Sequence, residues 1–196
     1  MIHLDNIFFG YTRDNLFDGI TADLPNTCSL LGENGSGKTT LLRLVAGILH
    51  PQRGQISLDD KTVWRSALML DSSILMNDFT ISRHLDWMRA MYGEDCVNEA
   101  SAAFEIGKFS ERRPCGFSEG ERQWCALCLT MCMPCDICLL DEPMRGLDEK
   151  RRAQLREILC DAAARGTQIM VTGHEAASVP GPAFTPVYLP GFGTQR

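Results

Sequence analysis

The eight residues from Gly32 to Thr39, GENGSGKT, constrain this chain more than any other stretch. They fit the pattern G-x-x-x-x-G-K-[ST], in which glycines let the backbone wrap closely around phosphates and present a cup of N–H donors. The flanks are what such a loop requires. TCSLL (27–31) is a short apolar, β-like run, and from Lys38 to Ile48 the residues Leu41, Leu42, Leu44, Val45 and Ile48 recur at helical spacing, with Gly47 and Pro51 marking the end. Strand, loop and helix in that order aim the positive end of the helix at an anion. Phosphate contact is therefore expected from Gly32, Glu33, Asn34, Gly35, Ser36, Gly37, Lys38, Thr39 and Thr40. Lys38 would reach the β- and γ-phosphates, and the Thr39 hydroxyl would ligate Mg²⁺.

A second run, ICLLDE (137–142), reads as a buried strand that ends in two carboxylates. Beside a phosphate loop, Asp141 would hold Mg²⁺, and Glu142 would polarise an attacking water, because hydrolysis needs a base or orienting group near the γ-phosphate. Further strands are expected at 2–9, 55–60, 67–70, 168–172 and in PVYL (186–189), and helices at 119–133 and 149–164. Residues 75–118 differ in character. Ile81, Leu85, Met88 and Met91 sit at helical intervals, followed by a polar, Ala-rich helix around 97–106. Strands alternating with helices give an α/β fold with a mainly parallel sheet, interrupted by a short helical lobe.

Composition narrows the function. The chain has 196 residues and a formal charge of −6, room for one domain and a poor match to the basic face of a nucleic-acid binder, so no nucleic-acid partner is expected. The N-terminus shows neither a basic leader nor a long apolar run, and no segment approaches the roughly 20 apolar residues of a membrane span, which makes the cytoplasm the expected location. Nine cysteines are then expected as reduced thiols. Five of them, Cys125, Cys128, Cys132, Cys135 and Cys138, fall within fourteen residues and superficially resemble a metal-ligand set. The first three share one helix face and Cys138 lies in an apolar strand, so burial as small hydrophobes is the better reading.

Between the two phosphate-site elements lies GFSEGERQ (116–123), and the combination resembles the nucleotide-binding domain of ATP-binding cassette (ABC) transporters over Ile2 to about Glu175. FSEGE stands where that family carries its LSGGQ signature, MRGLD (144–148) where it carries the D-loop with Asp148 as its acid, and VTGH (171–174) places His174 as the switch histidine. Tyr11 occupies the position of the aromatic that stacks on adenine. The resemblance implies a P-loop NTPase core with an added antiparallel β subdomain: one ABC ATPase domain over 1–196, with 1–74 and 119–196 as core and about 75–118 as the helical lobe. It implies ATP and Mg²⁺ as cofactors and catalytic roles for Glu142 and His174. It also implies a head-to-tail dimer in which Ser118 and Gly120 of a second ABC ATPase chain complete each ATP site. Hydrolysis would drive a transmembrane permease subunit that holds the cassette at the inner face of the cell membrane.

Three departures bear on these expectations. Alignment puts Asp71 where the family has a glutamine that senses Mg²⁺ and γ-phosphate, and no Gln occurs from Ile56 to Arg122. Asp71 can ligate Mg²⁺, yet its charge should repel a γ-phosphate. The signature carries Glu119 for its first glycine and Glu121 for glutamine, so slow hydrolysis is expected. The Pro-rich stretch after His174 (Pro180, Pro182, Pro186, Pro190) is expected to leave no room for a regulatory C-terminal domain. Two other readings stay open at this point. A soluble, non-transport cassette ATPase is one, although the 78 residues between Thr39 and Ser118 cannot hold the coiled coil of repair relatives. A degenerate module that closes on ATP without hydrolysis is the other.

Overall fold

Alternation along short apolar strands builds the centre of the molecule. The structure, a computed structural model, describes residues 1–12, 14–59, 61–174 and 180–189. Strands β1 (Ile2–Phe9), β2 (Phe17–Leu24) and β4 (Arg53–Leu58) form an antiparallel sheet in the order β2-β1-β4. Strands β3 (Thr27–Leu31), β5 (Ser66–Met69), β6 (Ile137–Leu140), β7 (Gln168–Gly173) and β8 (Thr185–Tyr188) form a parallel sheet in the order β5-β6-β7-β3-β8. Helices α1 (Lys38–Val45), α2 (Ile81–Tyr92), α3 (Glu94–Ala103), α4 (Glu119–Met131) and α5 (Glu149–Ala164) complete the fold.

The parallel sheet separates two hydrophobic cores, because successive side chains of a strand point to opposite faces. Cys138, Leu140, Ile169 and Val171 join one core with the lobe, α4 and α5. Ile137, Leu139 and Met170 join the other with α1 and the antiparallel sheet. Burial on both faces explains why these strands read as continuous apolar runs rather than as alternating ones.

The lobe has no core of its own. Phe104, at the end of α3, packs on Trp124 of α4 with ring centroids 4.7 Å apart, and the Trp124 indole N–H donates to the Phe104 carbonyl at 2.9 Å. Cys125, Cys128 and Cys132 are fully buried in the same core, and Cys138 is 1% exposed.

Some elements differ from the sequence-based reading. Strand β2 is absent from the sequence-based reading: only its ends, Phe17 and Leu24, are buried, and its alternation is limited to Ile20, Ala22 and Leu24. Helix α3 starts at Glu94, and Gly93 forms the junction with α2. Met91 is 62% exposed, so it leaves the apolar stripe of α2, and Ile48 lies beyond α1 and faces solvent. PVYL is displaced by one residue, β8 running from Thr185 to Tyr188. Pro190 and Glu175 lie outside the described residues. Among the described residues, no helix is long and apolar enough to cross a membrane.

Candidate active site

The parallel register brings the site together. Leu31 pairs with Gly173, Leu140 with Val171 and Met69 with Leu140. The phosphate loop, Asp141, His174 and Asp71 therefore all leave the carboxyl edge of one sheet, where open α/β sheets bind ligands.

The loop is shaped for an anion. Gly37 ends it with φ +94°, and a Cβ there would stand 2.9 Å from the Phe17 ring, so glycine is required both by conformation and by space. No side chain caps α1, which leaves its first backbone N–H groups to the loop's occupant. The Ser36 hydroxyl is buried without a hydrogen-bond partner. Lys38 is 6% exposed and donates to the carbonyls of Gly32 at 2.6 Å and Glu33 at 2.9 Å, which hold its ammonium inside the curve of the loop. Glu33, Asn34 and Gly35 form the exposed outer turn. Thr40 is buried, and its hydroxyl bonds to that of Tyr11 at 3.2 Å. Tyr11 itself is 59% exposed at the rim, its ring edge-on to Phe9.

At the mouth of the loop a chain of hydrogen bonds runs from Thr39 to His174. The Thr39 hydroxyl donates to Asp141 Oδ2 at 2.6 Å, and the Thr172 hydroxyl donates to Asp141 Oδ1. The Glu142 amide donates back to the Thr172 oxygen at 2.8 Å, and a Glu142 carboxylate oxygen meets His174 Nε2 at 2.7 Å. Glu142 lies in the left-handed region, φ +47°, which costs a non-glycine residue energy. That turn separates the two acids: Asp141 faces the Thr39 hydroxyl and Glu142 faces His174. Gln123 of α4 steadies the bend by donating to the Glu142 and Pro143 carbonyls at 3.4 and 3.3 Å.

The expected metal residues divide. The Thr39 hydroxyl and the Asp141 carboxylate converge as hard oxygen donors and fit Mg²⁺. Asp71 faces elsewhere. Its carboxylate caps the 3₁₀ turn Ser72–Ile74 by accepting from the Ser73 amide at 2.7 Å, and among the described residues no hydrogen bond joins it to Thr39 or Asp141. Bonds from Ser73 hold the Asp71 carboxyl below its usual range, with a smaller contribution from the Arg43 guanidinium. The same guanidinium lies 3.5 Å from the Tyr11 hydroxyl.

Every acid that departs from the expected signature has an arginine nearby. Glu121 completes a capping box on α4: its amide donates to Ser118 Oγ at 3.3 Å, and its carboxylate accepts from the Ser118 amide at 2.9 Å. Arg112 clasps the same carboxylate at 2.6 and 3.2 Å while stacking over Phe117, and together these bonds hold the Glu121 carboxyl down at about 2. Glu121 thus serves this chain's own helix. Because its folded-state value is depressed, its contribution to stability is fully present above the unfolded carboxylate range and is lost as pH falls toward 2. Melting curves of Glu121→Gln and the parent chain are expected to differ near neutral pH and to converge in acid. Ser118→Ala, which removes the cap, is expected to cost about 1 kcal/mol.

Glu119 is 72% exposed and stands 3.5 Å from Arg145, whose other neighbour is Glu142 at 3.9 Å. Gly120 is buried against its own chain, where a Cβ would stand 2.4 Å from the Gly146 carbonyl oxygen. Asp148 caps α5 by accepting from the Arg151 amide at 2.9 Å.

Sequence reasoning did not single out Thr172, Arg145, Arg43 or Gln123. Only Thr172 left a signal there, as a polar residue inside the otherwise apolar strand QIMVTG, and it is 1% exposed.

The family profile described as ABC transporter matches residues 20–145. The chain is 30% identical over 190 residues to the thiamine import ATP-binding protein ThiQ of Vibrio parahaemolyticus, an alignment covering 89% of this chain and 81% of that one. It is 28% identical over 175 residues to the molybdenum import ATP-binding protein ModC of Mycobacterium tuberculosis, with 77% and 47% covered. Its fold superimposes with a TM-score of 0.82, at 17% identity and with 100% and 97% covered, on the ATP-binding cassette MJ0796 in a dimeric post-hydrolysis state bound to ADP and Pi. A bacterial Atm1-family ABC exporter with ATP bound gives a TM-score of 0.77 at 21% identity, with 97% and 37% covered. The phosphate loop, the paired acids beyond it and these likenesses agree: the chain belongs to the ABC transporter family, as an ATP-binding subunit that hydrolyses ATP.

Proposed function

We propose that two cassettes close head to tail on two ATP molecules, and that closure and reopening drive a transmembrane permease subunit. The observation that carries this reading is the continuous hydrogen-bond path Thr39–Asp141–Thr172–Glu142–His174 at the mouth of the phosphate loop. It supports a reading in which the Glu142 carboxylate activates an attacking water and His174, 2.7 Å from it, fixes that carboxylate's orientation. Glu142 accepts the water's proton as the water oxygen bonds to the γ-phosphorus and the bond from that phosphorus to the β–γ bridging oxygen breaks, releasing ADP and phosphate, while Lys38 leaves the loop carbonyls for the phosphate oxygens. Thr39 and Asp141 would hold Mg²⁺, which neutralises phosphate charge when bound.

Residues 75–118 act as the lever in this reading. Near the start of α2, Met76 is 54% and Phe79 41% exposed, and Phe79 meets Trp87 edge-on with centroids 4.9 Å apart. Such an apolar, aromatic patch suits the surface of a permease subunit, which would keep the cassette at the membrane's inner face. The dimeric state of the ATP-binding cassette MJ0796 supports the two-copy arrangement.

Asp71 and Glu119 slow the cycle. The Glu119–Arg145 pair is exposed on both sides and offsets little of the acid's charge. ATP turnover and ATP-driven dimerisation, followed by phosphate release and light scattering, test both parts. Glu119→Gly and Asp71→Asn, the latter keeping an acceptor for Ser73, are each expected to raise turnover about fivefold. No rise in either variant would refute the slowing role, and a chain that stays monomeric with saturating ATP would refute closure.

A further inference from the structure

The cysteine run contains one member, Cys135, that is not closed off in the core, and it stands beside the buried Cys138 on one cavity wall. Cys125 and Cys128 are closed off in the core and Cys132 is fully buried behind a cavity wall, whereas Cys135 is half-buried and lies between two cavities. One, of about 260 Å³, is also lined by Cys96, Cys132, Cys138, Met131 and Met133. The other, of about 250 Å³, is polar and is lined by Lys61, Asp136 and Arg165. Cys138, three residues on and 1% exposed near the start of β6, lines the first cavity together with Cys135, and its thiol donates to Met131 Sδ at 3.7 Å. We infer that Cys135 and Cys138 form a dithiol site for exchange with a low-molecular-weight disulfide, Cys135 attacking and Cys138 resolving.

The surroundings divide these roles. The hydrogen bond from Cys138 lowers the Cys135 thiol below its ordinary range, helped by the Ala67 amide and the Arg65 guanidinium against burial and the Asp136 charge. Cys138 is pushed the other way, by that same bond and by burial. The thiolate is the nucleophile in such exchange, so the accessible sulfur attacks and the buried one waits. The intervening residues are fixed. Asp136 accepts from the Arg65 amide at 2.8 Å and pairs with Lys61 at 3.6 Å, while its own amide donates to the Arg65 carbonyl at 2.9 Å. Pro134 stiffens the approach. Among the described residues no three His, Cys, Asp or Glu side chains gather as a metal cage needs, whereas two neighbouring thiols suit a two-electron exchange.

The chemistry balances without a further reactant. Cys135 thiolate attacks one sulfur of the disulfide, breaking its S–S bond, and the released thiolate takes up a proton. Cys138 gives up its proton and attacks Cys135 Sγ, forming the Cys135–Cys138 bond and expelling the second thiolate, which is protonated in turn. Two protein thiols have become one disulfide, and the small disulfide has become two thiols.

The test exposes the reduced full-length chain to 2-hydroxyethyl disulfide, followed by alkylation and peptide mass spectrometry. Cys135 is expected to react about fivefold faster than the exposed Cys115, and the parent chain to end with Cys135 linked to Cys138. Cys138→Ser should stop at a mixed disulfide on Cys135, and Cys135→Ser should leave Cys138 unmodified. Reaction at Cys115 that matches or outpaces Cys135 in the parent chain would overturn the inference without reliance on any variant. So would a parent chain carrying the adduct on Cys135 with Cys138 still free.

Discussion

Glu142→Gln is expected to lower ATP turnover by about 10²- to 10⁴-fold, the range that a positioned general base supplies. The amide matches the carboxylate in size, so the Thr172 bond to the residue 142 amide and the contact with His174 both survive. What is lost is the capacity to take a proton from water. ATP binding rests on the loop and is expected to persist, so the variant should accumulate as an ATP-loaded two-copy complex. Phosphate release combined with size-exclusion chromatography checks both halves. Turnover within tenfold of the parent would remove Glu142 from the base role and turn attention to His174.

Lys38→Ala is expected to weaken ATP binding by about 100-fold, measured by titration with a fluorescent nucleotide. A hydrogen bond to a charged group contributes about 1.5–3 kcal/mol, and 1.4 kcal/mol is a factor of ten. Lys38 is nearly buried, so water cannot replace its ammonium at the phosphates. The substitution also strips the Gly32 and Glu33 carbonyls of their donor, so a modest fall in melting temperature should accompany the loss. Affinity within threefold of the parent would show that the loop amides and the α1 terminus suffice.

How much of this was legible in the sequence depended on where each signal lies. The phosphate loop, the acidic strand and VTGH announce themselves because backbone shape and charge position are written locally, in glycines and in acids after apolar runs. Strand β2 stayed hidden because it is an edge strand, fully buried only at its two ends, and its alternation covers just Ile20, Ala22 and Leu24, so pairing with β1 is what defines it. Thr172 acquires meaning only through the β6–β7 register, which sets it beside both acids. The arginines near Asp71, Glu119 and Glu121 lie 28, 26 and 9 positions away in the sequence, differences of 71 − 43, 145 − 119 and 121 − 112, and folding alone makes them neighbours. Gly120 and Asp148, expected by resemblance at the nucleotide, have local duties in the structure: one admits a neighbouring carbonyl and the other begins a helix.

The parity of strand β6 carries a mechanical consequence. Odd-numbered Ile137 and Leu139 belong to one core, and even-numbered Cys138 and Leu140 to the other. The strand that ends in Asp141 and Glu142 is thus a party wall, shared by two compartments that touch few other elements in common. Local opening on either side leaves the wall clamped from the opposite side, so freeing this strand requires both compartments to give way. The acids therefore follow directly on a strand that is buried along its whole length and held from both faces.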